Sequence, residues 1–500
     1  MSLIYNKLCS LLLEEHFGPI VQRIGTHLIS NGRRSLQQIL SAVNLPLAKV
    51  KDGLHILMVH GFVTFHVHQR TTLYTIDYKK IIALLRYPRY IFLVRTCCGN
   101  ESQIMLEEIL KHGYIKASDL IIKTYRRIQE SPSSEEPSIP NLKDTFELLV
   151  KNQFLMRSLS FDTMLEDVTK PDYNLPSLNL KAISNLLQDK EGDPGDRQIY
   201  WKVNIDRFTQ DLRDQILVSA VTRRFEDKNA GELMRQLINL MYLRTASWED
   251  TSNPIPYTEI KDAVKKLNYP ELEQYLEQYL HLIEEDSSHF IVRTGDSGGG
   301  QYRINMKNAF NQLAWTTLEN IITEKFNSQT ARIFRLIRHK ISVELEQVLQ
   351  YAMMPVKQVK QLTYILALEN YIQIQELKKS GVSAGPLKTF YLYYINLNQV
   401  VQMHIEQCYH ALHNMIQRRE HESISNKRMI DKQLRVEIVS SNMKEQGATE
   451  EQLADIEEMM TPSEKQQLKK IEKSIKKLSA AELLVDETLF LLHMYQLYHH

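Results

Sequence analysis

The 500-residue sequence predicts a mainly α chain of repeated three-helix-plus-hairpin units, closed by two long helices. Three observations carry this. One spacing, [VL]-K-x5-L-x4-[FY], occurs at Val50-Lys51-Leu57-Phe62, at Leu142-Lys143-Leu149-Phe154 and at Val359-Lys360-Leu366-Tyr371. Each aromatic opens a short extended run (FVTFHV, FLMRSL, YIQIQEL), as the last helix of a winged helix does on entering its wing. A second observation is FIVRT-GDSGGG-QYRIN, two strand-like runs around a glycine turn. The third lies near the end: from Asn396 to Gln446 there is no proline or glycine, and Val401, Ile405, Cys408, Leu412 and Met415 step by 4, 3, 4, 3. Leu468, Ile471, Ile475 and Leu478 step by 3, 4, 3. The predicted class is four tandem extended winged helices followed by a C-terminal antiparallel coiled-coil hairpin.

Element by element, residues 1–84 give the first unit. Leu8, Leu11, Leu12, then Phe17, Val21, Ile24 and Leu28 recur at helical spacing, and Asn31-Gly32 stops the second helix. Ser35 caps LQQILSAV, Pro46 starts the third helix and Gly61 ends it; FVTFHV and TLYTID flank the polar turn HQRT. Residues 85–160 form a second unit, and 161–198, rich in Pro, Gly and charge, read as a linker. A third unit spans 199–305, with a longer EEDSSH turn before Phe290; a fourth spans 306–380, and the hairpin takes 389–500. The first hairpin helix is expected to run unbroken for on the order of 75 Å at ~1.5 Å per residue.

Composition narrows the function. Sixty-one Lys and Arg against 60 Asp and Glu leave a net charge of +1. A protein gripping DNA alone by phosphate neutralisation is usually more basic, so nucleic-acid contact is expected to be local or shared with partners. Four cysteines (Cys9, Cys97, Cys98, Cys408) make neither a disulfide framework nor a zinc site. The N-terminus carries acidic residues within its apolar stretch, unlike a signal peptide, and no run approaches the ~18 apolar residues of a membrane span. These features predict a soluble, intracellular protein that takes no cofactor.

Gly295-Asp296-Ser297-Gly298-Gly299 looks like the segment around a serine-protease nucleophile. That chemistry also needs a histidine base, an orienting aspartate and an all-β scaffold, none of which is legible here. The plainer reading is a turn between wing strands. Nor does Gly-Lys-Ser/Thr follow, so the loop is no phosphate cradle. His66 and His68 share a strand face but have no cysteine or carboxylate at ligand spacing. Basic residues are the remaining candidates, because wings and third helices touch DNA in this fold. Lys49 and Lys51 lie on a third helix, Arg70 on the first wing, and Arg293 and Arg303 flank the third. Arg332, Arg335, Arg338 and Lys340 line one helix, where the alternative is a solvated face or a protein-binding stripe. Lys465, Lys469, Lys473 and their neighbours read as the wet face of the coiled coil.

Segments spread along the chain resemble one family, the third-largest, polymerase-specific subunit of eukaryotic RNA polymerase III. They are LRYPRYI (85–91), IYWKVNIDRF (199–208), GDSGGGQYRIN (295–305), ARIFRLI (331–337), TFYLYYIN (389–396) and VDETLFLL (485–492). The resemblance implies four extended winged helices and a coiled coil, similar to the alpha subunit of transcription factor IIE. It also implies a non-catalytic nuclear subunit in a three-member subcomplex on the clamp of the largest subunit. There it would act in recruitment through initiation factor IIIB and in promoter opening, with sequence-indifferent contact to melted or single-stranded DNA. The family is associated with sensing of foreign DNA in the cytosol. Tyr87, Arg89, Tyr90, Phe390, Tyr391 and Tyr393, in the resembling segments, are the expected partner-docking residues. Residues 160–198 are short and acidic where family members often carry a basic insertion, so import with the assembled enzyme is expected. Two other classes compete: a free-standing dimeric winged-helix regulator, and a scaffold like a proteasome-lid subunit, which carries one winged helix rather than four.

Overall fold

The computed structural model describes residues 3–68, 71–130, 138–158, 172–188, 190, 192–267, 269–378, 389–445 and 460–499. The chain divides into two compact units, Met1–Gln210 with Tyr409–Asp486, and Asp211–Cys408 with Glu487–His500. The described residues are mainly helical, with four small three-stranded sheets, and the fold class is the predicted one.

In the first unit, helices Leu3–Phe17 and Pro19–Asn31 lead into strand β1 (Arg34–Ser35). Ser35 caps Leu36–Val43, exchanging hydrogen bonds with Gln38 in a capping box. The third helix, Leu47–Val59, runs into β2 (Val63–His68), which pairs with β3 (Thr71–Ile76) from Val63 opposite Ile76 to His68 opposite Thr71. β3 lies between β1 and β2.

The recurring spacing has a single geometric cause. Val50, Leu57 and Phe62 are all fully buried, as are Leu142 and Leu149, and Val359, Leu366 and Tyr371. The residue before each aromatic sits in the left-handed region: Gly61 at φ 71°, Gln153 at 63°, Asn370 at 61°. That reversal lets the aromatic N–H donate to the carbonyl of the repeat leucine, Phe62 to Leu57 at 2.9 Å, Phe154 to Leu149 at 3.0 Å and Tyr371 to Leu366 at 2.9 Å. It is a helix stop that satisfies an orphan carbonyl and aims the chain into the wing. The third winged helix departs from it, with His289 at φ 46° after the longer turn.

The second winged helix differs from the sequence expectation. Its strands are β4 (Tyr114–Ile115), β5 (Leu155–Arg157) and β6 (Trp201–Val203), in the order β4-β6-β5. Thus 201–203, read as the start of the third unit, completes the second sheet, and the described part of 161–198 is an excursion between two wing strands. That excursion packs: helix Leu180–Leu187 buries Ile183, and buried Asp196 accepts from the Ser118 N–H at 2.8 Å and its hydroxyl at 3.0 Å. Three-residue strands are too short to show alternation, which is why pairing across the excursion was illegible. Trp201 holds the sheet down, edge-on to Phe146 with ring centroids 5.2 Å apart.

Three of the family-resembling segments meet in this unit. Phe208 stacks between Tyr90 (4.7 Å) and Phe154 (4.9 Å). Arg86 pairs with Asp486 at 3.2 Å, with side chains 11% and 1% exposed. Arg89 donates to the Leu483 carbonyl. The pairing at Arg86 is sequestered from water, so removing either partner strands the other charge.

In the second unit, β7 (Ile255–Pro256), β8 (Ile291–Gly295) and β9 (Gln301–Ile304) form the third sheet, with β9 central. The fourth contains β10 (Ser342–Glu344), β11 (Gln373–Lys378) and β12 (Thr389–Tyr394), again with the last strand central. Here too the expectation needs correction, because β12 was assigned to the terminal hairpin (389–500). SGVSAGP, between β11 and β12, lies outside the described residues. Arg213, fully buried, donates to Asp214 at 2.9 Å, Tyr498 Oη at 2.9 Å and Tyr242 Oη at 2.5 Å.

The terminal hairpin is built from Leu397–Ser425 and Lys427–Glu445 running antiparallel to Pro462–Tyr498. A turn at Asn426 divides the first arm that the sequence had presented as unbroken; the Asn426 amide donates to the Glu422 carbonyl at 2.9 Å. In the first unit the arms are bridged by Arg419–Glu482 (2.9 Å) and Lys432–Glu464 (2.9 Å). In the second, Gln496 donates to Gln402 at 2.7 Å. Val401, Ile405 and Leu412 are buried as the heptads require, and Cys408 and Met415 are half-buried.

Candidate nucleic-acid and partner interfaces

In the three winged helices that carry it, the buried repeat fixes which way the third helix faces, so function is read from what the outer side exposes. On Leu47–Val59, Val50, Gly53, Leu54 and Leu57 face inward, leaving Lys49, Lys51, Asp52 and His55 exposed together with Leu47 and Ile56. Gly53 lets the two helices approach closely: a Cβ there would stand 2.5 Å from Ile24 Cδ1 and would push that side-chain end aside. Neither lysine forms an ion pair among the described residues, so both charges stay available. Phe65 and Val67 on β2 are exposed. Arg70, the wing candidate, lies outside the described residues.

The second and third winged helices offer less to a phosphate. On Ile139–Lys151 the two lysines share Glu147, Lys143 at 3.4 Å and Lys151 at 3.8 Å. In the third unit, helices Pro270–Gln274 and Leu276–Glu285 expose Glu271, Glu273, Glu277 and Glu285. Its wing arginines do not compensate: Arg293 pairs with Asp296 at 3.0 Å, and Arg303 is half-buried. Ser297 sits in the turn between β8 and β9, where its hydroxyl accepts from Gln301 at 3.0 Å. That is the wing turn, not a nucleophile held by a base.

Of the arginine stripe on Ser328–Lys340, two members are spoken for. Arg335 and Arg338 both reach Glu319, at 3.1 and 2.7 Å, and Arg338 lies 4.6 Å from the centroid of Trp315. They clamp two helices of the fourth unit together. Arg332 is exposed, and Lys340 sits 5.1 Å from the Tyr351 ring. Sequence periodicity showed the stripe but not Glu319, which comes from the preceding helix.

The docking candidates split in the same way. Tyr90 is fully buried against Phe208, and Arg89 is engaged with the Leu483 carbonyl, so both serve the core rather than a partner. Tyr87 is half-buried and burial pushes its phenol upward. Phe390 and Tyr391 on β12 are exposed, and Tyr393 is half-buried opposite Ile374. Reasoning from sequence missed the outer face of the fourth third helix, Val356–Leu368, where Val356, Tyr364 and Leu368 stand exposed. The signal was present at i, i+8, i+12, but the sequence reading took the segment only as a helix and did not single it out.

Four family models match along the chain: an RNA polymerase III subunit RPC82 helix-turn-helix domain over residues 7–68, RNA polymerase III subunit RPC82 over 156–313, a C-terminal winged-helix domain of POLR3C over 318–395, and a helical hairpin domain of DNA-directed RNA polymerase III subunit RPC3 over 428–491. DNA-directed RNA polymerase III subunit RPC3 of Rattus norvegicus is 37% identical, covering 98% of this chain and 97% of its own. The chain belongs to the RPC3 family. The RPC3 subunit of Homo sapiens is 36% identical over 98% and 97% of the two chains, and that of Yarrowia lipolytica 19% over 92% and 94%. As a member of the RPC3 family it is a subunit of RNA polymerase III, and other subunits of that enzyme are its partners. Among the described residues no helix is long and apolar enough to cross a membrane.

Proposed function

We propose that this chain is a non-catalytic, nuclear subunit acting at initiation, within a three-subunit subcomplex on the clamp of the largest subunit. It helps recruit the polymerase through initiation factor IIIB and helps open the promoter; nucleotide addition takes place in other subunits. The observation that carries the DNA part is the pair Lys49 and Lys51, exposed and without an ion pair among the described residues, on the third helix of the first winged helix. Two lysines positioned by a rigid helix hold a phosphate backbone without reading bases, so binding is salt-sensitive and sequence-indifferent. The exposed Phe65 offers a stacking surface once strands separate.

The test uses polymerase assembled with the full chain or with Lys49→Ala, Lys51→Ala. Initiation on a closed promoter is expected to fall several-fold, and a pre-melted template is expected to restore it. Equal loss on both templates, or strong preference of the isolated protein for one duplex sequence, would overturn the reading.

A further inference from the structure

The third helix of the fourth winged helix has an outer face rich in exposed apolar side chains. Val356, Lys360, Tyr364 and Leu368 recur every fourth residue and so line one side, over about 18 Å at ~1.5 Å per residue. Val356, Tyr364 and Leu368 are 55, 66 and 64% exposed. Met353, held in the left-handed region at φ 52° just before the helix, is 82% exposed. Valine, leucine and methionine neither stack on bases nor bond to their edges, and a DNA-reading helix puts polar groups there instead. Such a stripe is what a soluble surface keeps for another protein.

The border of the stripe names the partner's charge. Lys357 and Lys360, on the same helix, are exposed and form no ion pair among the described residues. Two free cations beside an apolar strip suit a helix with an apolar stripe of its own flanked by carboxylates. We infer that Val356–Leu368 docks an amphipathic, acid-flanked helix of another polymerase subunit, leaving DNA contact to the first winged helix. This rests on the subunit reading above and assigns one of its surfaces.

The test places a photoreactive benzoylphenylalanine at position 364 of the full chain in assembled, promoter-bound polymerase, with adducts mapped by mass spectrometry. One segment of a sister subunit is expected, with apolar residues at helical spacing between Asp and Glu. Lys357→Glu with Lys360→Glu is expected to lower the yield about tenfold, while Lys→Arg at both positions retains it. An adduct on DNA, an adduct on a segment without carboxylates, or no adduct from a chain present in the polymerase would each overturn the docking face alone. A chain absent from the purified polymerase would overturn the subunit reading with it.

Discussion

The third helices of the third and fourth winged helices occupy the same place in the same architecture and expose surfaces of different charge. One shows Glu273, Glu277 and Glu285 beside Tyr275 and Leu282; the other shows Lys357 and Lys360 beside Val356, Tyr364 and Leu368. Their inner sides are alike, Leu276, Leu280 and Ile283 in one, Val359, Leu362 and Leu366 in the other, all buried. Burial of apolar area selects the inner residues and with them the helix orientation, whereas the outer residues meet only solvent until a partner arrives. A winged helix is therefore a mount whose function is set by four or five outward positions. The first copy presents Lys49 and Lys51 clear of ion pairs among the described residues, and the fourth presents Lys357 and Lys360 in the same way, there beside the exposed Val356, Tyr364 and Leu368.

If inner and outer faces are separable in this way, the largest effect belongs inside. Leu366→Ala is expected to cost about 2–5 kcal/mol in denaturant unfolding, because it empties a buried site under the wing. A loss as small as that of a surface change would break the comparison. Next comes pH. The repeat aromatic Tyr371 packs on His404 at 5.2 Å, and burial, with Lys325 nearby, lowers the His404 pKa from 6.5 to about 4. The unfolded chain takes up its proton first, so stability is lost as pH falls from 6.5 towards 4, at up to about 1.4 kcal/mol per unit. His404→Gln is expected to flatten that part of the stability profile measured between pH 7 and 5. Smaller still is Gly61→Ala: with open space around it but φ at 71°, the cost is backbone strain of about 1–2 kcal/mol. Smallest in energy, and sharpest for function, are the outer faces. Lys51→Ala is expected to leave stability within about 0.5 kcal/mol and to reduce the salt slope of DNA binding by about 1. Glu277→Gln in the third copy is expected to leave that slope unchanged.

Much of this was legible in the sequence because it repeats buried chemistry. Val50, Leu57 and Phe62 announce a helix, a stop and a strand, and the structure shows why one spacing does all three. The hairpins at 63–76 and 291–304 were readable because in each the two paired strands lie close together in the sequence. β6 and β12 were not, since a partner strand beyond a long excursion leaves no local trace. The candidate residues fared worse than the fold. Arg335 and Arg338 looked free because Glu319 is 16 and 19 positions away, and Tyr90 looked like an anchor because its segment is distinctive. That segment is distinctive for packing: Tyr90 meets Phe208 and Arg86 meets Asp486. Charge counts along a helix record supply, and only the fold records what has already been used.

The Arg86–Asp486 pair joins positions 400 residues apart. At ~5–20 residues per second of synthesis, the aspartate leaves the ribosome about 20–80 s after the arginine. For that interval the nascent first unit holds a cation whose buried counter-ion has yet to be made, along with the apolar surface around it. Production of this chain should accordingly depend on holding chaperones, and early termination should yield insoluble fragments rather than a stable amino-terminal half.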